Sequence, residues 1–374
     1  MQPRAPAEVG SLVEDVDTPA LLVELEVLER NMLRMAQSLA PTGAKLRPHA
    51  KSHKCPTIAL RQIELGAVGV CCQKISEAEA MIDGGVRDVL ITNQIVGSSK
   101  IAKLTDLARR ASVAVCVDDL EHIGALSSAA QTTKVVLDVL VEIEVGTNRC
   151  GVPPGLAALE LARRVAAAPA LRFRGLQAYS GAAQHQREHI KRVEAAKDAI
   201  AWCRATRDLL RLNGIECPVI SGAGTGTWQE DAASRVYTEL QPGTYIFMDA
   251  DYMRNRDADG NMCPDFEQSL FVWATVISRP AATRAVVDAG LKAVSIDKGM
   301  PLVHGVDGTE YVRASDEHGV LSLQTEPKTV KLGSKLRLVP GNCDPTVNMH
   351  DWLVAIRHGR VEALWPISAR GPGL

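Results

Sequence analysis

The chain has 374 residues, 46% hydrophobic and 23% charged, a composition with ample material for a packed core that excludes disordered and collagen-like readings. Lys and Arg number 42 against 44 Asp and Glu, a net charge of -2, so no global basic field favours nucleic acid or an anionic membrane as partner. The nine cysteines, at 55, 71, 72, 116, 150, 203, 217, 263 and 343, are odd in number and lack any C-x-x-C pair, which argues against a disulfide framework or zinc knuckle and for a reducing cytoplasm.

The first 14 residues show no apolar stretch behind a basic start, and nowhere do about 18 apolar residues run uninterrupted, so neither a secretory signal nor a membrane span is expected. Residues 18–25 read as a strand that pairs into the C-terminal part of the chain. From residue 44 short β-branched runs alternate with helical patterns. The spacing predicts strands at 44–49, 67–72, 88–92, 112–117, 136–145, 171–179, 217–221 and 236–248, with helices at 56–65, 76–83, 99–110, 119–129, 154–167 and 186–212. The run 136–145 is almost continuously apolar, as a parallel strand covered on both faces should be. Gly66 and Gly214 stand where helices end in a left-handed residue.

Eight such units are the arithmetic of an α/β fold of the (β/α)8 barrel type. A doubly wound sheet would carry an early dinucleotide fingerprint, whereas Gly222, Gly224 and Gly226 form G-x-G-x-G with the wrong spacing and too late in the chain. Beyond Asp265 the helical patterns stop, and runs at 269–278, 285–289, 319–323, 335–339, 352–357 and 361–366 predict a compact β domain. The expected division is a barrel over 26–265 and a β domain built from 1–25 and 266–374.

In a barrel the chemistry sits at the C-terminal ends of the strands. Lys51 lies there among Arg47, His49, His53 and Lys54. Like-charge crowding and burial lower a lysine pKa and free the amine as a nucleophile; a solvated basic loop or anion site is the plain alternative. The loop 221–227 offers a run of backbone N–H groups with little side-chain bulk, suited to a phosphate, or is simply a tight connection. Together the amine and the loop point to pyridoxal 5′-phosphate.

The motifs Arg47-Pro48-His49-Ala50-Lys51, Cys71-Cys72-Gln73-Lys74, Arg149-Cys150-Gly151-Val152, Leu176-Gln177-Ala178-Tyr179, Gly224-Thr225-Gly226, Gln241-Pro242-Gly243-Thr244-Tyr245, Asp288-Ala289-Gly290 and Asp344-Pro345-Thr346 occur in this order along nearly the whole chain. In them the sequence resembles the D-threonine aldolase family, a branch of the alanine-racemase-like fold (fold type III) that also contains D-serine dehydratase and D-3-hydroxyaspartate aldolase. Met248-Asp249-Ala250-Asp251-Tyr252 and the C-terminal run to Arg370 are similar to the hydroxyaspartate aldolases in particular.

The resemblance implies a homodimer whose site is completed at the subunit boundary, a small amino acid substrate, and Lys51 as the lysine that links to the cofactor aldehyde. It assigns Arg149 and Tyr179 to the cofactor ring, with Gln73 nearby or merely lining the core, and Gly224, Thr225, Gly226, Gly243 and Tyr245 to the phosphate. His185 matches the family histidine that deals with the substrate hydroxyl, against an ordinary solvated histidine beside His189. The implied reaction cleaves a D-β-hydroxy-α-amino acid to glycine and an aldehyde, glyoxylate from hydroxyaspartate or acetaldehyde from threonine. Relatives bind a divalent metal through a His-x-Asp pair, and here Asn342 and Asp344 occupy those places. An amide oxygen suits Mn2+ or Mg2+ better than Zn2+. Loss of the metal would favour the alternative of a dehydratase or racemase of the same fold. Arg254 or Arg256 is a candidate for a distal substrate carboxylate, solvated loop arginines being the plain alternative.

Overall fold

Eight short parallel strands carry the middle of the chain in the computed structural model, which describes residues 4–262, 265–324, 327 and 329–373. After β1 (Ala20–Glu24) they are β2 (Lys45–Leu46), β3 (Val70–Cys72), β4 (Asp88–Gln94), β5 (Ser112–Val117), β6 (Leu137–Glu142), β7 (Leu171–Ala178), β8 (Val219–Gly222) and β9 (Glu239–Leu240). They pair in the order β2-β9-β8-β7-β6-β5-β4-β3. The ring closes where Val68 N–H donates to Leu46 O and Cys71 N–H to Pro48 O, each at 2.9 Å. This is the α/β barrel expected from the sequence.

Because side chains alternate along a strand, inward-facing residues two apart form successive layers of the barrel interior. At the N-terminal end Arg47 donates to Glu239 at 2.7 Å and to Asp88 at 2.6 Å. Next comes an apolar layer of Cys71, Leu90, Cys116 and Leu140. Beyond it Gln73 and Thr92, one step along β3 and β4, meet His49, Gln177 and Gln241 from the ends of β2, β7 and β9 in a polar layer that opens to the surface. The barrel is thus plugged below and chemically equipped above.

Two local departures from expectation have simple causes. The helix Leu25–Leu39 starts directly after β1 and buries Leu25, Leu28, Met32, Met35 and Leu39, a spacing of three and four that the preceding apolar strand conceals. The strand expected over 236–248 shrinks to Glu239–Leu240. Pro242 has no N–H to continue the ladder, and Gly243 then turns so close to the first barrel loop that a Cβ there would stand 2.1 Å from Ser52 Oγ.

The second sheet comprises β1 with β10 (Leu270–Ala281), β11 (Arg284–Val287), β12 (Leu302–Val303), β13 (Thr309–Ala314), β14 (Gly319–Leu323), β15 (Lys335–Val339), β16 (Trp352–Arg357) and β17 (Arg360–Pro366). β1 lies between β10, antiparallel with Leu21 opposite Val272, and β16, parallel with Leu21 opposite Leu353. Leu21 and Val23 enter the main core, while Ala20 and Leu22 join Trp273 and Val354 in a smaller one. Strands β12 and β13 and the helix Cys343–Met349 were not anticipated. Among the described residues no helix is long and apolar enough to cross a membrane. The described cysteines are all free, Cys263 lying outside the described residues.

Candidate active site

The extended residues after β2 lead into a single turn, Ala50–Ser52, that sets Lys51 at the barrel mouth. The crowd of cations expected around it is not built. Arg47 faces the opposite end of the barrel, paired with Glu239 and Asp88, and Lys54 pairs with Glu77 at 3.2 Å. Burial, more than any neighbour, pushes His49 down to about 3 and His53 to about 4, so both rings are neutral at pH 7. Lys51 itself donates to Asp344 Oδ2 in a short ion pair. Burial is the largest influence and would lower the lysine, but the Asp344 carboxylate, by charge and by hydrogen bond, together with the Tyr179 and Cys343 acids, outweighs it and holds the ammonium above its ordinary range. The expectation of a depressed lysine is corrected accordingly: acidic groups led by a carboxylate remote in sequence reverse the sign.

That carboxylate arrives on the helix Cys343–Met349, whose N-cap is Asn342. The Asn342 side-chain oxygen accepts from Asp344 N–H at 3.2 Å, and its amide donates to Asp297 Oδ2 at 3.0 Å. Asp249, pushed up to about 6 by burial, accepts from Cys343 N–H at 3.1 Å and from Tyr252 N–H at 3.0 Å. Among the described residues no three His, Cys, Asp or Glu side chains converge where an ion could sit. With no such convergence and Asp344 already paired with Lys51, this donor set does not fit the divalent ion implied by the resemblance.

Lys51 opens onto a cleft of about 490 Å³ whose lining includes Gln73, Arg149, Tyr179, Gly224, Thr225, Gly243 and Tyr252. Glu144 folds the loop that carries Arg149, accepting from Gly146 N–H at 2.5 Å, Thr147 N–H at 2.6 Å and Arg149 N–H at 3.2 Å. Thr147 then ties this loop to Tyr179 O at 2.7 Å, and the Arg149 guanidinium lies 5.9 Å from the Tyr179 ring centroid. Gln73 donates to Thr92 O at 3.3 Å.

Across the mouth, the backbone N–H groups of Gly224, Thr225 and Thr244 meet no acceptor among the described residues, a deficit that buried backbone rarely tolerates without a ligand or water. Gly226 N–H is taken by Gln184 Oε1 at 2.9 Å and Tyr245 N–H by Thr225 Oγ1 at 3.1 Å. The Tyr245 ring is fully buried, its hydroxyl accepting from Gln62 at 2.8 Å. These two residues therefore brace the loop from behind.

His185 caps the short helix Gly181–Gln184 after β7. Its Nδ1 lies 2.6 Å from Asp251 Oδ2, and its ring packs 5.4 Å from that of Tyr252, which lines the cleft. Arg254 is spent on Asp251, at 3.1 Å, and on backbone carbonyls, and Arg256 donates to Gly260 O at 2.9 Å; neither guanidinium lines the Lys51 cleft. Sequence reasoning missed Thr92 and gave no role to Gln177, Gln241 and Asp251, although the last three stand inside the quoted motifs; the two-residue strand period could have located the first three.

Residues 23–251 match the alanine racemase N-terminal domain and residues 269–356 the serine dehydratase domain. The chain is 46% identical to a D-threonine aldolase of an Arthrobacter species over 366 residues, 98% of this chain and 96% of the relative. It is 45% identical to a 3-hydroxy-D-aspartate aldolase of Paracoccus denitrificans (strain Pd 1222) over 372 residues, again 98% and 96% of the two chains. The crystal structure of D-threonine aldolase from Filomicrobium marinum superposes with a TM-score of 0.96 at 50% identity, covering 98% of this chain and 99% of the other. The chain belongs to the family of D-threonine and 3-hydroxy-D-aspartate aldolases, built on the alanine racemase fold.

Proposed function

We propose that the protein is a pyridoxal 5′-phosphate-dependent carbon-carbon lyase that cleaves a D-β-hydroxy-α-amino acid, threonine-like or 3-hydroxyaspartate-like, to glycine and an aldehyde. The observation that carries this reading is the meeting, in one cleft, of the Lys51 amine with the unpaired N–H groups of Gly224, Thr225 and Thr244. An amine and an anion cradle on opposite sides of a barrel mouth are the donor set that an aldehyde bearing a phosphate requires. In this reading the barrel, 26–265, is the cofactor-binding unit, and 1–25 with 266–374 is the β domain that supplies Asp344.

Lys51 Nζ would link to the cofactor aldehyde, and Asp344 keeps it at the mouth. Because Asp344 favours the ammonium, Lys51 sheds a proton before its lone pair is free. Arg149 and Tyr179, with Gln73, would hold the ring; Gly224, Thr225 and Gly243 would hold the phosphate, supported by Gly226 and Tyr245. When bound, the cofactor supplies an electron sink for the pair released as the Cα–Cβ bond breaks. His185 accepts the β-hydroxyl proton, so that the hydroxyl oxygen becomes the carbonyl oxygen of the departing aldehyde.

Products formed from D-threonine and D-3-hydroxyaspartate test the assignment. Glycine with acetaldehyde or glyoxylate supports it, whereas a keto acid with ammonia, or inverted stereochemistry alone, refutes it. The first of those outcomes is the second reading, a dehydratase, which the match of residues 269–356 to the serine dehydratase domain favours. We further propose a cytoplasmic homodimer: the free cysteines support the compartment, the resemblance supports the dimer, and sedimentation tests it.

A further inference from the structure

We propose that Asp251 is the positioning residue of the proton acceptor: it fixes His185 as the Nδ1–H tautomer and leaves the Nε2 lone pair to take the substrate β-hydroxyl proton. The inference rests on the aldolase reading above and adds to it the residue that makes the histidine a base.

The geometry divides the two oxygens of Asp251 between two tasks. Oδ2 faces His185 Nδ1 at 2.6 Å. Oδ1 takes Arg187 Nη2 in a short ion pair and Arg254 Nη2 at 3.1 Å. Arg187 also donates to the Asp251 carbonyl at 2.6 Å and to Asn255 Oδ1 at 2.9 Å, so the carboxylate cannot rotate without breaking two ion pairs. A carboxylate only accepts hydrogen bonds, which places the shared proton on Nδ1. His185 Nε2 meets no protein partner among the described residues and is left as an acceptor. The Asp251 side chain is 4% exposed. Burial would raise it, but the hydrogen bonds from His185 and Arg187 bring it down to about 2, so it remains an anion at any working pH.

The two loops are themselves locked together. Asn255 donates to Gln184 O at 3.0 Å, joining the segment just after Asp251 to the short helix that ends at His185. Tyr252, next in sequence to Asp251, packs against the imidazole and lines the cleft, so His185 abuts a residue of the lining without being part of it. The charged groups around His185 are thus Asp251 and, through it, Arg187 and Arg254. An arrangement that served structure alone would need the two arginines and Asp251, but not a half-exposed histidine aimed with one nitrogen bare.

Asp251→Asn tests the role, because an amide N–H donated to Nδ1 moves the proton to Nε2 and removes the base. On the holoenzyme, cleavage of D-threonine and D-3-hydroxyaspartate is expected to fall by roughly 10²-fold or more in kcat with little change in KM, the range for losing a general base. The visible cofactor band is expected to be retained. His185→Gln should cost about as much, and the double variant no more than ~3-fold beyond the worse single, since residues acting as one unit are not additive. Losses that multiply in the double variant overturn the proposal.

A measurement independent of activity and of the fate of Asp251→Asn is 15N NMR of histidine-labelled protein, the His185 signals being identified by their disappearance in His185→Gln. A protonated Nδ1 with a bare Nε2 supports the proposal, and an Nε2–H tautomer overturns it whatever reaction the protein catalyses. Wild type that releases no aldehyde would instead sink the aldolase reading, and the base role with it.

Discussion

Asp231 stands behind the loop 221–227 and is 3% exposed. It accepts one hydrogen bond, from Thr227 Oγ1 at 2.6 Å, and among the described residues no cation pairs with it, so burial pushes it from 3.8 to about 7. An acid whose folded value is raised binds its proton more tightly in the folded state. Its contribution therefore favours folding at low pH and is lost as pH rises from 3.8 through 7. Wherever the folded carboxyl stays protonated while the unfolded one is ionised, each step of one in pH removes about 1.4 kcal/mol, so this one group loses about 2–3 kcal/mol between pH 5 and pH 8. Asp231→Asn removes the titration but keeps an oxygen for Thr227, which in turn accepts from Gln184 at 2.9 Å. Urea unfolding of wild type and variant, followed by tryptophan fluorescence at pH 5, 6, 7 and 8, measures the difference. The wild-type curve should fall below that of the variant by about 2–3 kcal/mol over this span, every other titrating group cancelling between the two. Parallel curves would refute the idea that Asp231 is a buried, uncompensated acid.

Lys51→Ala should lack the borohydride-sensitive absorption band of the holoprotein and lose its cofactor on dialysis, with aldehyde release at background; a persistent band would remove Lys51 from its role. Gly243→Ala places a Cβ 2.1 Å from Ser52 Oγ and 3.0 Å from His49 O, so it should cost about 1–3 kcal/mol by overpacking and weaken cofactor retention. Ser52→Gly in the same chain should restore part of both, measured by unfolding and by cofactor titration. Extensive chelation should leave kcat within about twofold, because among the described residues no three His, Cys, Asp or Glu side chains converge around Asp344. Stimulation by Mn2+ after chelation would refute that reading of the donor set.

The barrel was legible because its signal is repeated. Each strand, from 67–72 to 171–179, is a short apolar run that must be covered on both faces, and each is followed by a helix with its own spacing. What failed were elements whose pairing is decided elsewhere in the chain. Glu239–Leu240 stops where Pro242 withholds a donor and Gly243 meets Ser52, a residue nearly two hundred positions away. The helix Cys343–Met349 is seven residues long and contains Pro345, so it leaves almost no period to read. Among the site residues, Lys51 was visible from its place after the first barrel strand, but its charge state was not. Sequence shows the neighbours Arg47, His49, His53 and Lys54 and conceals that burial neutralises two of them while remote carboxylates take the others. Asp251 was invisible as a partner for the same reason: its relation to His185 spans 66 positions.

The residue at 342 also decides how the two sheets cooperate. A side chain there can serve as a ligand, as a cap, or as both, since an amide oxygen carries two lone pairs; here the cap is the role its contacts show. Asn is among the most favourable N-cap residues, and its oxygen is used on Asp344 N–H, which fixes the first turn of the helix and with it the direction of the Asp344 carboxylate. Asp249 secures the same turn through Cys343 N–H. Asp344 then faces Lys51 rather than an ion, and each holds the other in its charged form. The electrostatic balance of the mouth is thus set by a lysine from the turn after β2 and a carboxylate from the helix Cys343–Met349. Loosening the cap should act on Lys51 without touching it, because the ammonium is held above its ordinary range only while Asp344 stays aimed at it.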